Sequence, residues 1–287
     1  MSSISKVMEI YDIIVLAGQS NAEGYGVGEV SEEYEKDEHV LWLNDRAAAH
    51  FEKDENGNDF LSLNYPAETE ISIADEPTGA QGKTGKLALS FAECYVKSGL
   101  LKPNRKLLIV NAAVGGTGFA RNEWGVGNVL YKRLCYLTDT ALGENENNKI
   151  VAFLWHQGEC DSVENAQYSR EERYQTHKRN LTAMFGDFLQ KYSARCLERK
   201  LPMIAGGFCD EWYRKNKTQS DAVLQAIRET MESFGGAFVE TQGLLSNNQK
   251  TGNGDDIHFC RESLHILGKR YFEAFKAMQK GKSNESI

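Results

Sequence analysis

Tyr11-Asp12-Ile13-Ile14-Val15-Leu16-Ala17-Gly18-Gln19-Ser20-Asn21 decides how the rest of the chain is read. Its β-rich apolar run is too short for a buried helix and stops at a glycine. That is the pattern of a buried strand entering a tight turn. Leu107–Ala113 repeats it, ending in Val114-Gly115-Gly116-Thr117, and Ile150–Trp155 repeats it again, ending in His156-Gln157-Gly158-Glu159. Met203–Phe208 and Ala237–Glu240 supply a fourth and a fifth strand. Between them lie stripes at helical spacing. Leu87, Phe91 and Tyr95 mark one helix, and Asn128–Leu137 a second. Leu181, Met184, Phe188 and Tyr192 belong to a long third helix. A fourth carries Val223, Ile227 and Met231 behind a cap near Ser220 or Asp221. The last runs from Leu264 to Met278 behind Ser263. Strands alternating with helices predict right-handed βαβ units, hence a parallel sheet of about five strands with helices on both faces.

The 287 residues are read as a single domain over 1–287, interrupted by a long loop insertion at about 25–85. That insertion is charged and glycine-rich, with one apolar island at Val40–Leu43, and its length suits a lid or binding loop. Hydrophobic residues at 41% and charged residues at 26% are globular proportions. The formal charge of −8 disfavours nonspecific nucleic-acid binding. No apolar run approaches the ~20 residues of a membrane span. Met1–Glu9 carries no secretory signal pattern, so a cytoplasmic chain with reduced thiols is expected. Six cysteines without a CxxC pair argue against a zinc ribbon.

In parallel sheets the ligand crevice lies beyond the carboxyl ends of the strands. Gly18-Gln19-Ser20-Asn21, Gly115-Gly116-Thr117 and His156-Gln157-Gly158-Glu159 should therefore share one rim, and Asp255-Asp256-Ile257-His258 should reach it. Ester hydrolysis needs a nucleophile, a base, a group orienting the base and donors for the oxyanion. Ser20 can be the nucleophile, and its N–H can face the oxyanion from a helix start. Asp255, three residues before His258, can hold the imidazole in one tautomer. Gly116 can offer a backbone N–H, and Gln157 a side-chain amide. Each signal also has a plain reading: a helix cap at Ser20-Asn21, an acidic turn around Asp255, a simple glycine turn, a polar loop residue. Asp256 should face solvent.

These blocks together resemble the SGNH (GDSL-type) hydrolases. More narrowly they are similar to the branch holding sialate O-acetylesterases and carbohydrate esterase family six, which includes acetylxylan esterases. The resemblance rests on Gly18-Gln19-Ser20-Asn21, Gly115-Gly116-Thr117 with Trp124 behind it, His156-Gln157-Gly158-Glu159-Cys160-Asp161, and Asp255-x-x-His258. It runs from about Asp12 to Phe275. It implies a three-layer α/β/α, flavodoxin-like fold, a Ser20–His258–Asp255 triad, an oxyanion hole of Ser20, Gly116 and Gln157, and neither metal nor cofactor. Ala22 stands where many relatives have methionine, and Cys160 where many have serine; both swaps should alter packing and not chemistry. Glu159 is either a second acid near the histidine or support for the Gln157 loop, with the loop role favoured. Cys160 should be buried and inert.

Aromatic faces suit a sugar substrate. Trp124, with Asn21 and Arg121, is a candidate substrate contact, and Trp42, Tyr65 and Trp212 are further candidates; Trp124 is equally a core wedge. The function read from this is a serine esterase removing O-acetyl groups from carbohydrates, xylan-derived oligosaccharides or sialic acids, by way of an acetyl-enzyme. Its partner is a small-molecule or oligosaccharide substrate, with no nucleic acid and no membrane. Two rivals stand beside it. One is a non-catalytic glycan- or phosphate-binding flavodoxin-like module using Gly18–Gly28, which lacks a Walker lysine. The other is a metallohydrolase built on His156, Glu159, Asp255 and His258.

Overall fold

β1 (Ile10–Gly18) is buried from Tyr11 onward, on both of its faces, so it can only be an interior strand. The computed structural model describes residues 9–45, 50–57, 59–63, 68–76, 86–164 and 167–284. After β1 the chain forms α1 (Ser20–Glu23), β2 (Val40–Asp45), β3 (His50–Lys53), β4 (Asp59–Ser62), β5 (Thr69–Ile73), α2 (Leu87–Lys97) and β6 (Arg105–Asn111). Then follow α3 (Val129–Gly143), β7 (Lys149–His156), α4 (Glu159–Val163), α5 (Arg170–Tyr192) and β8 (Met203–Gly206). The last elements are α6 (Asp210–Lys215), α7 (Lys217–Ser233), β9 (Ala237–Val239), α8 (Asn247–Thr251) and α9 (Arg261–Asn284).

The main sheet has seven strands in the order β5-β2-β6-β1-β7-β8-β9. All pair in parallel except β5, which runs antiparallel to β2 at the edge. The expected five-strand sheet is thus corrected to seven. The two additional strands come from the segment read as a loop insertion. The apolar island is β2, bonded to β6 from Val40↔Leu107 to Leu43↔Val110. A separate hairpin, β3 with β4, occupies part of the remainder.

Alternation along β7 shows how both faces are covered. Phe153 and Trp155 pack edge-on against Phe185 of α5. His156 turns the other way, toward Tyr271 of α9. On the α5 side, Tyr131 of α3 bonds Asp187 of α5 at 2.5 Å, and α5 packs on α7. On the α9 side α2 lies against α9, and a Cβ at Gly268 would stand 2.2 Å from the Leu87 carbonyl. The layers are therefore helix, sheet, helix.

β1 ends where it must approach β7 most closely. Gly18 has φ +137°, and a Cβ there would sit 2.1 Å from the His156 carbonyl oxygen. That same carbonyl accepts from Gln19 N–H at 2.9 Å. The glycine lets the chain leave the sheet sideways into α1, which puts Ser20 over the strand ends.

Candidate active site

Ser20 opens α1 and is 4% exposed. Its Oγ lies 2.8 Å from His258 Nε2, although the two residues are 238 positions apart. On the far side of the ring, His258 Nδ1 lies 2.8 and 3.0 Å from the two carboxylate oxygens of Asp255. With the proton on Nδ1 facing Asp255, Nε2 presents a lone pair to the serine hydroxyl. Burial alone would raise the Asp255 carboxyl. Hydrogen bonds from Asn247 and His258 outweigh it and hold the group below the ordinary carboxylate range. The structure thus brings together Ser20, His258 and Asp255.

The loop carrying Asp255 and His258 is fixed by α8. Asn247 donates from Nδ2 to Asp255 Oδ2 and to the Tyr25 carbonyl, each at 2.9 Å. Its Oδ1 accepts from Val27 N–H at 2.8 Å, and its own N–H donates to the His258 carbonyl at 2.9 Å. Sequence reasoning missed this hub. Its signal was the Ser246-x-x-Gln249 capping box, which the structure forms in full. Tyr25 was missed too; its ring stacks on His258 at 5.1 Å between centroids and 27° between planes.

The Gly115-Gly116 turn reaches the same rim. Gly115 N–H donates to Glu23 Oε2 at 2.7 Å, which ties the turn to α1. Gly116 has φ +72°, a backbone state that favours glycine, and a Cβ there would meet nothing within 4 Å. Among the described residues, neither Ser20 N–H nor Gly116 N–H finds an acceptor in the protein. These are two free donors of the kind a developing oxyanion requires.

Gln157 departs from expectation. Its Nε2 donates one hydrogen to the Thr117 carbonyl at 3.1 Å and the other to Asp161 Oδ2 at 2.9 Å. Both donors are spent, so Gln157 fastens the glycine turn to α4 and is not an oxyanion donor in this geometry. Asp161 also accepts from Ala120 N–H at 2.8 Å and faces His177 Nδ1 at 3.0 Å.

The candidate substrate contacts need correction as well. Trp124 is 1% exposed; it packs edge-on against Trp155, and its Nε1 donates to Thr117 Oγ1 at 3.0 Å. It is a core residue, because its indole is closed off from any ligand. Asn21 is wholly buried and bonds protein on every side. Arg121 is ion-paired with Glu164 at 2.6 Å and donates to the Gly116 carbonyl at 3.2 Å, so it braces the turn. Trp42 and Trp212 are each only 6% exposed, and Tyr65 lies outside the described residues. Asp256 points outward to Lys215 at 2.5 Å.

Glu159 is buried at the start of α4, and its Oε1 accepts from Asn21 Nδ2 at 2.8 Å. Burial pushes its carboxyl up to about 7, against the opposing hydrogen bond from Asn21. The Cys160 thiol is pushed up to about 12, chiefly by burial and then by Glu159, which leaves it a poor nucleophile. The four residues of the metal reading fall into two pairs with different partners, His156 with Glu159 and Asp255 with His258. Among the described residues no three His, Cys, Asp or Glu side chains gather to hold an ion, and no helix is long and apolar enough to cross a membrane.

Residues 10–277 match the sequence profile of a family described as carbohydrate esterase, sialic acid-specific acetylesterase. Among solved structures the chain is similar to NanS, with 20% identity and a TM-score of 0.71 over 95% of this chain and 98% of that one. It is also similar to a protein from Arabidopsis thaliana, at 20% identity and TM-score 0.61, covering 93% and 98%. A third likeness is to a carbohydrate acetylesterase from Xanthomonas citri, at 15% identity and TM-score 0.54, covering 94% of this chain and 56% of that one. At these identities the likenesses speak for the fold. No curated protein matches the chain in sequence.

Proposed function

Because the chain belongs to the carbohydrate esterase family of sialic acid-specific acetylesterases, we propose that it hydrolyses O-acetyl esters on sugars with Ser20 as nucleophile. The membership makes it a carbohydrate acetylesterase, a carboxylic ester hydrolase; the serine mechanism is our reading. The observation that carries it is the line from Ser20 Oγ through the His258 ring to Asp255, with 2.8 Å from Oγ to Nε2 and 2.8 Å from Nδ1 to Asp255 Oδ2.

In this reading the Ser20 hydroxyl attacks the acetyl carbonyl while His258 Nε2 takes its proton. Asp255 keeps the ring in the Nδ1–H tautomer and stabilises the imidazolium. The carbonyl oxygen, now negative, sits against the N–H groups of Ser20 and Gly116. The imidazolium returns its proton to the sugar oxygen as the C–O bond breaks, leaving acetyl on Ser20. Water, deprotonated by His258, then releases acetate and restores the serine. Glu23 sits on the glycine turn and already fills its Gly115 N–H. A carboxylate at that place disfavours the rival phosphate-binding reading.

Sialic acids and xylan-derived oligosaccharides are the candidate carriers of the acetyl group. The test is acetate release from a panel of acetylated sugars by wild type and by Ser20→Ala. The variant is expected to keep the fold and its melting temperature while losing about 10⁴-fold or more in kcat. Near-full activity in Ser20→Ala would sink the reading.

A further inference from the structure

The buried neighbours of Ser20 include polar groups that the ester chemistry above does not use. Tyr271 hydroxyl donates to the Trp155 carbonyl at 2.9 Å, so its oxygen accepts from His156 Nδ1 at 2.9 Å. His156 therefore carries its proton on Nδ1. Its Nε2 is a buried lone pair without a hydrogen-bond partner, 3.8 Å from Glu159 Oε1. Glu159 Oε2 is likewise buried and without a partner. Among the described residues no lysine or arginine pairs with Glu159. The titratable groups whose charge or field reaches it are His156 on β7, Cys160 and Asp161 on α4, Cys209 after β8 and Tyr271 on α9. None of these is a fixed cation, and Asp161 is an acid.

The one polar bond that Glu159 does make bears on the site. Asn21, next to Ser20, gives Nδ2 to Glu159 Oε1 at 2.8 Å and to the Ile257 carbonyl at 3.2 Å. Its Oδ1 accepts from Phe259 N–H at 3.1 Å. Asn21 thus clasps the residues on either side of His258, and Glu159 fixes which way round its amide faces. A flipped Asn21 amide would set a donor against Phe259 N–H and an acceptor against the Ile257 carbonyl.

We propose that Glu159 is a positioning residue that works as an uncharged carboxylic acid, holding Asn21 and through it the spacing between Ser20 and His258. This rests on the Ser20 reading given above. The burial that pushes Glu159 up to about 7 agrees with it. An ionised carboxylate here would be an unpaired charge in the protein interior. The substitution Glu159→Gln would keep the acceptor toward Asn21 and carry no charge at any pH.

The experiment compares wild type, E159Q, E159A and Ser20→Ala. It reads kcat and KM for acetate release and the rate at which an organophosphonate labels Ser20. E159A is expected to lose roughly 100-fold in kcat and in labelling rate with KM little changed, the scale of a small misplacement of reacting groups. E159Q should recover to within about threefold of wild type near pH 6. The ratio of E159Q to wild type should then rise as the pH passes about 7, where wild-type Glu159 ionises. Should E159A fail to fold, this pH-dependent ratio decides the matter alone. E159Q as impaired as E159A, E159A as active as wild type, or a ratio constant with pH would each overturn the proposal while leaving Ser20 as nucleophile intact. Wild type that neither releases acetate nor takes the phosphonate on Ser20 overturns both readings.

Discussion

Asp255 faces the imidazole with both carboxylate oxygens, while Asn247 holds it from behind. Asp255→Asn would put an amide N–H where an acceptor is needed and favour the wrong tautomer of His258. We expect kcat to fall by about 10³–10⁴ with little change in KM or melting temperature, measured by steady-state kinetics and thermal unfolding. Because this carboxyl is held below its ordinary range, the stability it contributes is present above the unfolded value of 3.8 and is lost as pH falls through the lower folded one. Ser20, Asp255 and His258 could be picked out only together: each block alone is a weak signal, and their joint occurrence at predicted strand ends is what singled them out. Trp124, Arg121 and Asn21 misled for a physical reason: proximity in sequence to a glycine turn says nothing about which way a side chain is packed. The two hydrogens of Gln157 were equally out of reach, since their acceptors, Thr117 and Asp161, are set by tertiary packing.

At the scale of elements, the strand-to-helix turn after β1 is the feature the site depends on. Gly18→Ala would force a methyl group onto the His156 carbonyl at a φ that alanine resists. We expect a loss of more than about 3 kcal/mol in a denaturant titration, or no soluble folded protein, whereas a wild-type unfolding curve would contradict the turn as described. The interior strands were legible because each is a continuous apolar run between turn signals, as central parallel strands must be. β2 was seen only as an apolar island, and its six residues sit inside a charged stretch. β5 was not seen at all; as an antiparallel edge strand, Thr-Glu-Ile-Ser-Ile is half exposed and lacks a solid apolar run. α8, which fixes the histidine loop, is five residues long and leaves no stripe, so only its capping box was there to be read.

Across the whole molecule, seven strands and two helical layers bring four distant segments to one rim, with buried ionisable groups beneath it. Burial pushes the His156 imidazole down to about 3 and the Glu159 carboxyl up to about 7. The His156 contribution to stability is present above its unfolded value of 6.5 and is lost as pH falls toward 3. The Glu159 contribution is full below its unfolded value of 4.5 and is lost as pH rises through about 7. Between 4.5 and 6.5 these two contributions change in opposite directions with pH. E159Q should remove the loss on the alkaline side and melt above wild type at about pH 8, as read by thermal unfolding across pH. The chemistry itself turns on a covalent event at one hydroxyl. Its most direct test is to mix the protein with an acetylated sugar, quench in acid during turnover, digest it and weigh the peptides. One added acetyl group is expected on the peptide containing Ser20 and none on that of Ser20→Ala; acetate released while that peptide stays unmodified and the variant remains active would contradict Ser20 as the nucleophile.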